Sequence, residues 1–426
     1  MHTYHLQDEF RDPAAERQLL AAIAQQPTLY FELLDTLPTD VFTDTQEVWQ
    51  QLARALETAQ PLRIPPDWEP ASDPHAIAQH LADLHQRRLL AATQERLATA
   101  LFDSTIPAST LATLLEEEAL RVQTAIRETA AGRLQWASDL VPEVLAAADA
   151  RRQQWEQTGK AVLGVSTGLT GLDEVLNGLT EGLYLLAGPP GMGKTTMGLQ
   201  LATHATREVP VVFVTFENAP AVLTLKALCA AGGINPQDVY RGQGDLARLR
   251  TAAQAWQPVA VRLALVEGSG RLTVAQVRAQ ALRAMQHHGT PQCLVVVDYL
   301  QLWAKVAEEL RGGLSVRERV ELLGGALREL AARLHSPVLA LASQNRAQGH
   351  YGNGKGTPAL DSLKESGDLE YMADVVLFLT EASERQSRPP ARAVELTIAK
   401  NRHGDIGKLP LIFRPDLGTL REEARV

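Results

Sequence analysis

Two hydrophobic textures divide the chain. Up to about residue 127, apolar side chains recur every three or four positions, the spacing of one helix face. Leu19, Leu20, Ile23, Leu33 and Leu34 mark it within PAAERQLLAAIAQQPTLYFELLDTL, and VWQQLARAL repeats it. LRIPPDWEPASDPH then breaks the pattern with prolines and reads as a loop. The helical signal resumes in AIAQHLADLHQRRLLAATQERLATALF and in TLATLLEEEALRVQTAI. No strand alternation and no cluster of reactive side chains occurs here, so residues 1–127 read as a helical packing or assembly module.

Residues 128–164 read as a linker. ETAAGRLQ is a flexible connection, and ASDLVPEVLAAADARRQQWEQTG is a helix. Ser138 or Asp139 is its expected N-cap, Pro142 falls in its first turn and Gly159 stops it. Val144, Leu145, Ala148 and Trp155 give it a narrow apolar face, which needs a partner on its own chain or on another subunit.

From about residue 165 to 426, short apolar runs alternate with helical patterns: LYLLA, VVFVTF, CLVVVD, VLALA, VVLFL, AVELTIA and LPLIF. Strands separated by helices predict an α/β domain with a mostly parallel sheet covered on both faces. The last two runs, joined by KNRHGDIGK, predict a hairpin at the sheet edge.

Composition changes this picture little. The chain has 426 residues, 45% hydrophobic and 21% charged, as in ordinary globular proteins. No stretch approaches ~20 uninterrupted apolar residues and no basic-then-apolar leader opens the chain, so a cytoplasmic location is expected. The net charge of −9 excludes a protein that coats nucleic acid through bulk charge. Any contact with DNA must come from particular loops. The two cysteines, Cys229 and Cys293, build neither a disulfide framework nor a zinc site. Cys293 opens CLVVVD and reads as a small core residue.

The chemistry concentrates at Gly188-Pro189-Pro190-Gly191-Met192-Gly193-Lys194-Thr195, followed by Thr196. This is G-x-x-x-x-G-K-[ST] between a strand and a helix, the layout of a phosphate-binding loop. Glycines let backbone N–H groups turn toward phosphate oxygens, and the helix N-terminus adds partial positive charge. Lys194 is then expected to reach the β- and γ-phosphates of ATP, and Thr195 to ligate Mg2+. Asp298, closing CLVVVD, is the candidate second magnesium ligand. Glu217, just past VVFVTF, is the candidate for polarising the attacking water. Strand ends of one polarity share one sheet edge, so Thr195, Glu217 and Asp298 are expected to converge. Ser343-Gln344-Asn345-Arg346 follows the fourth apolar run, where a polar side chain could sense the γ-phosphate.

These residues resemble the DnaB-type replicative DNA helicases over nearly the whole chain, most strongly from Gly164 onward. GVSTGLTGLDEVLNGL resembles the family's approach to its phosphate loop, TFEN the segment carrying the catalytic glutamate (Glu217), and VVVDYLQL the magnesium strand (Asp298). LDSLKESGDLEYMADVVLFL resembles the DNA-loop segment, which implies DNA contacts by Lys364, Glu365 and Gly367, with Arg346 a further candidate. IAKNRHGDIG resembles the hairpin that donates a lysine and an arginine, here Lys400 and Arg402, to the neighbouring subunit's nucleotide. The resemblance implies a RecA-like ATPase domain behind a helical collar. It also implies a homohexameric ring on single-stranded and forked duplex DNA, moving five-prime to three-prime, with primase and a helicase loader as possible partners. Where the family has Ser-Gln-Leu-Asn-Arg, this chain has Ala-Ser-Gln-Asn-Arg, so the sensor falls on Ser343 or Gln344.

Outside the resemblance, Arg311, Arg317 and Arg319 form a basic stretch that is either a second DNA loop or a solvated helix start paired with Glu318 and Glu321. RAQGHYGNGKG is glycine-rich and suited to shift with nucleotide state. Two other readings fit the same motor fold: a recombinase-type or clock-type ATPase, or a helicase-loading factor that uses ATP as a switch. The LKESG block and the N-terminal helices disfavour the first, and Glu217 the second.

Overall fold

In the computed structural model the apolar runs after residue 165 become one nine-stranded sheet. Its strands are β1 (Gly182–Gly188), β2 (Val211–Thr215), β3 (Leu263–Glu267), β4 (Leu294–Asp298), β5 (Pro337–Ser343), β6 (Val375–Glu381), β7 (Arg392–Asn401), β8 (Gly407–Arg414) and β9 (Thr419–Glu422). The structure describes residues 9–33, 40–57, 64–107, 136–158, 164–310, 313–343, 369–382 and 389–423, with isolated positions (37, 110–111, 114–115, 118 and 122) between them. The strand order is β3-β2-β4-β5-β1-β6-β7-β8-β9. The first six are mutually parallel, and β6 through β9 continue antiparallel.

The central strands are apolar almost up to their C-terminal ends, where Thr215, Asp298 and Ser343 stand, because both faces are covered. Leu183, Leu185, Val212, Val214, Val295 and Val297 face one layer, with Trp303, Leu323, Leu327 and Leu330 from the helices Leu300–Val306 and Val316–Leu334. Tyr184, Leu186, Val211, Phe213, Leu294 and Val296 face the other, with Met197, Leu201 and Ala205 of the helix Lys194–Ala205 and Leu223 of the helix Pro220–Gly232. The period-2 alternation of one strand thus fills two cores. Cys293 belongs to this interior, as expected, and burial pushes its thiol up to about 11.

Seven of the nine strands match the apolar runs, and β7 and β8 form the expected antiparallel hairpin. The sequence reading missed β3 (LALVE) and β9 (TLRE), which close the two sheet edges and are only partly buried.

The chain divides into two compact units, Met1–Ala146 and Ala147–Val426. The first is helical where described: Pro13–Gln25, Thr28–Leu33, Gln46–Glu57 and Pro74–Phe102. Leu19, Leu20, Ile23, Leu33, Trp49, Leu52 and Leu81 form its core. The expected proline-rich loop is irregular where described, and Asp73 then caps the helix that begins at Pro74 by accepting from the Ala76 N–H at 3.0 Å. Most of TLATLLEEEALRVQTAI lies outside the described residues.

The expected linker helix runs from Ala137 to Thr158. It begins one or two residues before the expected cap, and Pro142 sits inside it rather than in its first turn. The boundary between the units falls within this helix.

Candidate functional site

β1 ends at Gly188, and the chain turns through Pro189–Gly193 into the helix Lys194–Ala205. Gly191 and Gly193 adopt φ of +80° and +95°, the left-handed region that glycine enters without a Cβ clash. Gly193 is also held closely: a Cβ there would lie 2.9 Å from Cζ of Phe413 on β8. Pro190 and Gly191 are exposed, while Met192 packs on the core below. The Lys194 ammonium donates to the Gly188 carbonyl at 2.7 Å and the Pro189 carbonyl at 3.0 Å. Burial lowers its pKa, and the carboxylates of Asp298 and Glu217 oppose that shift.

Thr195 begins the first turn of that helix, and its hydroxyl donates to Asp298 Oδ1 at 3.3 Å. Asp298 is 1% exposed at the end of β4. Burial pushes its carboxyl up to about 6, with the Glu217 charge raising it further and the Thr195 hydrogen bond opposing. Its second oxygen, Oδ2, is buried and accepts no hydrogen bond. A buried carboxylate oxygen with no donor suits a cation, and magnesium commonly takes one or two carboxylates, a hydroxyl and phosphate oxygens. That donor set explains why no group of three or more acidic, cysteine or histidine side chains with metal geometry occurs among the described residues. Thr195 and Asp298 therefore fit the metal they were expected to hold.

β2 lies beside β4, Thr215 level with Asp298, and the Phe216 N–H donates to the Asp298 carbonyl at 2.7 Å. Glu217 follows, exposed, and its charge reaches Lys194, Asp298 and Tyr299. Lys194, Thr195, Glu217 and Asp298 thus share one sheet edge. Lys226, passed over in the sequence, joins them. Its ammonium donates to Asn218 Oδ1 at 3.1 Å and its charge acts on Asp298. Its spacing, nine residues past Glu217 on the next helix, was the available signal.

Ser343 pairs with Gly188 across the β5–β1 ladder, so β5 ends beside the phosphate loop. The Gln301 side chain grips it: its amide nitrogen donates to the Ser343 carbonyl at 3.1 Å, and its amide oxygen accepts from the Ser343 N–H at 3.0 Å. Gln344, Arg346, Lys364, Glu365 and Gly367 lie outside the described residues, as do Arg311 and RAQGHYGNGKG.

Arg317 and Arg319 do not form a free basic loop. Arg317 donates to Glu321 at 3.1 Å and Arg319 to the Leu314 carbonyl at 3.0 Å, beside a Ser315–Glu318 capping box. This is the solvated helix start.

Lys400 and Arg402 lie elsewhere. Ala187 is level with Phe378 on β6, which faces Thr397 on β7. From Thr397 the chain runs away from the phosphate loop, and Arg402 comes five residues later, about 15 Å along the strand direction. The Arg402 N–H donates to the Asp374 carbonyl at 2.9 Å, just before β6 begins. The pair therefore sits toward the sheet edge opposite this chain's own phosphate loop.

A phosphate loop after the first strand of a parallel sheet, a magnesium-type carboxylate two strands away and a carboxylate beyond β2 define a RecA-like P-loop ATPase domain. Residues 164–422 match the DnaB-like helicase C terminal domain, and the chain belongs to that family. It is 31% identical over 261 residues to the replicative DNA helicase DnaB of Leifsonia xyli subsp. xyli, covering 60% of this chain and 55% of that one. The corresponding protein of Geobacillus stearothermophilus is 28% identical, covering 59% and 55%. The matched region thus spans about half the length of these curated relatives. Among solved structures, a DnaB-like replicative helicase, studied with its interactions with primase, aligns with a TM-score of 0.69 at 20% identity, over 97% of this chain and all of that one. A separately solved ATPase domain aligns with a TM-score of 0.57 at 24% identity, over 66% of this chain and 99% of that one. These likenesses establish the fold, helical N-terminal region included.

Proposed function

We propose that this chain is a replicative-type DNA helicase: a homohexameric ring that hydrolyses ATP to move five-prime to three-prime along single-stranded DNA and open forked duplex. The separation of Lys400 and Arg402 from the chain's own phosphate loop carries the reading. Phosphoryl transfer needs positive charge against the developing negative charge. Lys194 supplies part of it in cis. Lys400 and Arg402 face the wrong way to add to it unless a neighbour's nucleotide is brought to them.

In this mechanism the backbone N–H groups of Gly191–Thr195 and the Lys194 ammonium hold the β- and γ-phosphates. Thr195 and Asp298 would hold Mg2+, which would supply positive charge against the phosphates. Glu217 accepts the proton of the attacking water, and Lys226 adds a second positive charge beside it. Lys400 and Arg402 of the adjacent subunit complete the site. Ser343, at the end of β5, or Gln344, next in sequence, senses the γ-phosphate. Lys364, Glu365, Gly367 and Arg346 contact the DNA backbone, which gives little sequence preference.

The exposed apolar face of the helix Ala137–Thr158 supports assembly. Val144, Leu145 and Trp155 are 58–63% exposed, and a neighbouring copy offers a place to bury them. Residues 1–127 form the collar, 128–164 the linker and 165–426 the motor. Primase and a helicase loader are proposed partners, primase because the similar helicase was studied with its interactions with primase. No described helix is long and apolar enough to cross a membrane, and a cytoplasmic site of action belongs with the helicase reading.

The test is unwinding of a forked duplex with a five-prime tail, by wild type and Lys194→Ala. Wild type is expected to unwind it and Lys194→Ala to fail. DNA-stimulated ATPase without any unwinding by wild type would overturn the helicase reading in favour of a recombinase-type or loading ATPase.

A further inference from the structure

The hairpin side chains assigned above to a neighbour's nucleotide are held by a structure of their own. Arg402 Nη2 donates to the Tyr371 carbonyl at 2.6 Å, and Arg402 Nε lies 3.5 Å from Asp374 Oδ1. The Lys400 ammonium donates to the Glu370 carbonyl at 2.5 Å and approaches the Tyr371 carbonyl at 3.4 Å. Both carbonyls belong to the short helix Leu369–Met372, whose last carbonyls have no partner within the helix. Each accepts from a cation, Glu370 from Lys400 and Tyr371 from Arg402.

Asp374 anchors this arrangement to the sheet. It is 8% exposed. Its Oδ2 accepts from the Leu183 N–H at 2.9 Å, and its own N–H donates to the Leu183 carbonyl at 2.9 Å, at the start of β1. Its Oδ1 faces two guanidinium groups, Arg402 at 3.5 Å and Arg328 Nη2 at 3.6 Å. Two carboxylates, Asp374 and Glu370, therefore stand among three cations, Arg328, Lys400 and Arg402. The cluster keeps a surplus of positive charge, which suits an anionic group presented from outside. Arg402, about one-third exposed, is fixed through Nε and Nη2 while its remaining edge can meet such a group.

We propose that Asp374 is the positioning residue of the trans-acting pair, orienting Arg402 and, through the Leu369–Met372 carbonyls, Lys400 toward the phosphates of a neighbouring subunit. This rests on the reading that Arg402 acts in trans. A guanidinium free to swing loses alignment, and a displacement of about 1 Å at a transition-state contact costs up to about 100-fold in rate. Asp374→Asn keeps an acceptor for the Leu183 N–H and replaces the charged oxygen that faces Arg402 and Arg328 with a neutral amide nitrogen that cannot accept from them.

The experiment measures DNA-stimulated ATPase kcat and KM for wild type, Asp374→Asn, Arg402→Ala and the double variant, with a thermal midpoint for each. Asp374→Asn is expected to lower kcat about tenfold with KM for ATP little changed, and to cost nothing further in the Arg402→Ala background. Mixing Asp374→Asn subunits with Glu217→Ala subunits, which carry an intact pair, is expected to restore part of the activity. An equal loss in both backgrounds overturns the positioning role while leaving the trans reading intact, as does a failure to restore Asp374→Asn by mixing when the same Glu217→Ala partner restores Arg402→Ala. An Arg402→Ala variant as active as wild type overturns both. Should Asp374→Asn melt below the assay temperature, Asp374→Glu, which retains the charge and the Leu183 acceptor but displaces Oδ1, is carried through the same cycle and must show the same dependence on Arg402.

Discussion

Asp298 concentrates the cost and the purpose of the site in one side chain. Its folded-state pKa of about 6 lies above the ordinary 3.8, because burial penalises the ionised form. The folded protein therefore holds this proton more tightly than the unfolded chain does. Stability from this group is fully present below about pH 4, falls as pH rises to about 6, and stays lower above that. The difference is at most about 3 kcal/mol. Asp298→Asn should then melt higher than wild type at pH 8 without nucleotide, with the gain vanishing near pH 4. The same variant should lose the rise in melting temperature that Mg2+ with ATP gives wild type. An equal gain at both pH values would place its origin elsewhere than in the buried charge. Without nucleotide, the affinity for Mg2+ should weaken on the acid side of about pH 6, because proton and metal compete for the same carboxylate.

At the scale of elements, what could be read from sequence follows physical range. The phosphate loop was legible because its parts are local: a strand, glycines at fixed spacing and a helix start. The five parallel apolar runs were legible because a strand buried on both faces admits little else, and those of β7 and β8 because their apolar positions alternate with half-buried or exposed ones. β3 and β9 were not, because edge strands are covered on one side only and LALVE and TLRE carry mixed side chains. Gln301 and Asp374 were passed over for another reason. Each owes its place to a partner distant in sequence, as with Gln301 on Ser343 and Asp374 on Leu183. Pro142 was expected to open its helix, yet that helix begins at Ala137 and carries the proline within.

The helical unit offers the clearest case of long-range dependence. Glu16, on the helix Pro13–Gln25, is buried and accepts from the Thr43 N–H and hydroxyl, the Asp44 N–H, and the Thr45 N–H and hydroxyl at 2.8–3.1 Å. These donors lie just before the helix Gln46–Glu57, so one helix supplies the start of another with its acceptor. No local pattern around Glu16 announces this. Glu16→Ala leaves five donors without it and should destabilise the N-terminal unit by about 3 kcal/mol. Calorimetry should show that unit's transition lowered and the ATPase unit's unchanged. An unchanged N-terminal transition would contradict the clamp.

At the scale of the molecule, the account rests on where one chain's charges point. Lys194, Thr195, Glu217 and Asp298 gather at one edge of the sheet, while Lys400 and Arg402 gather toward the other around Asp374. On the proposed reading each subunit carries two half-sites that a neighbour joins, and hydrolysis then depends on assembly, as a ring motor requires and an ATPase acting alone does not. The most direct test mixes Glu217→Ala subunits with Arg402→Ala subunits and measures DNA-stimulated ATPase across the mixing ratio. Each variant alone is expected to be nearly inactive. In mixtures, an Arg402→Ala nucleotide site served by a Glu217→Ala neighbour is complete, so activity should rise to a maximum at intermediate ratios. Activity that never exceeds that of either variant alone would contradict the shared site.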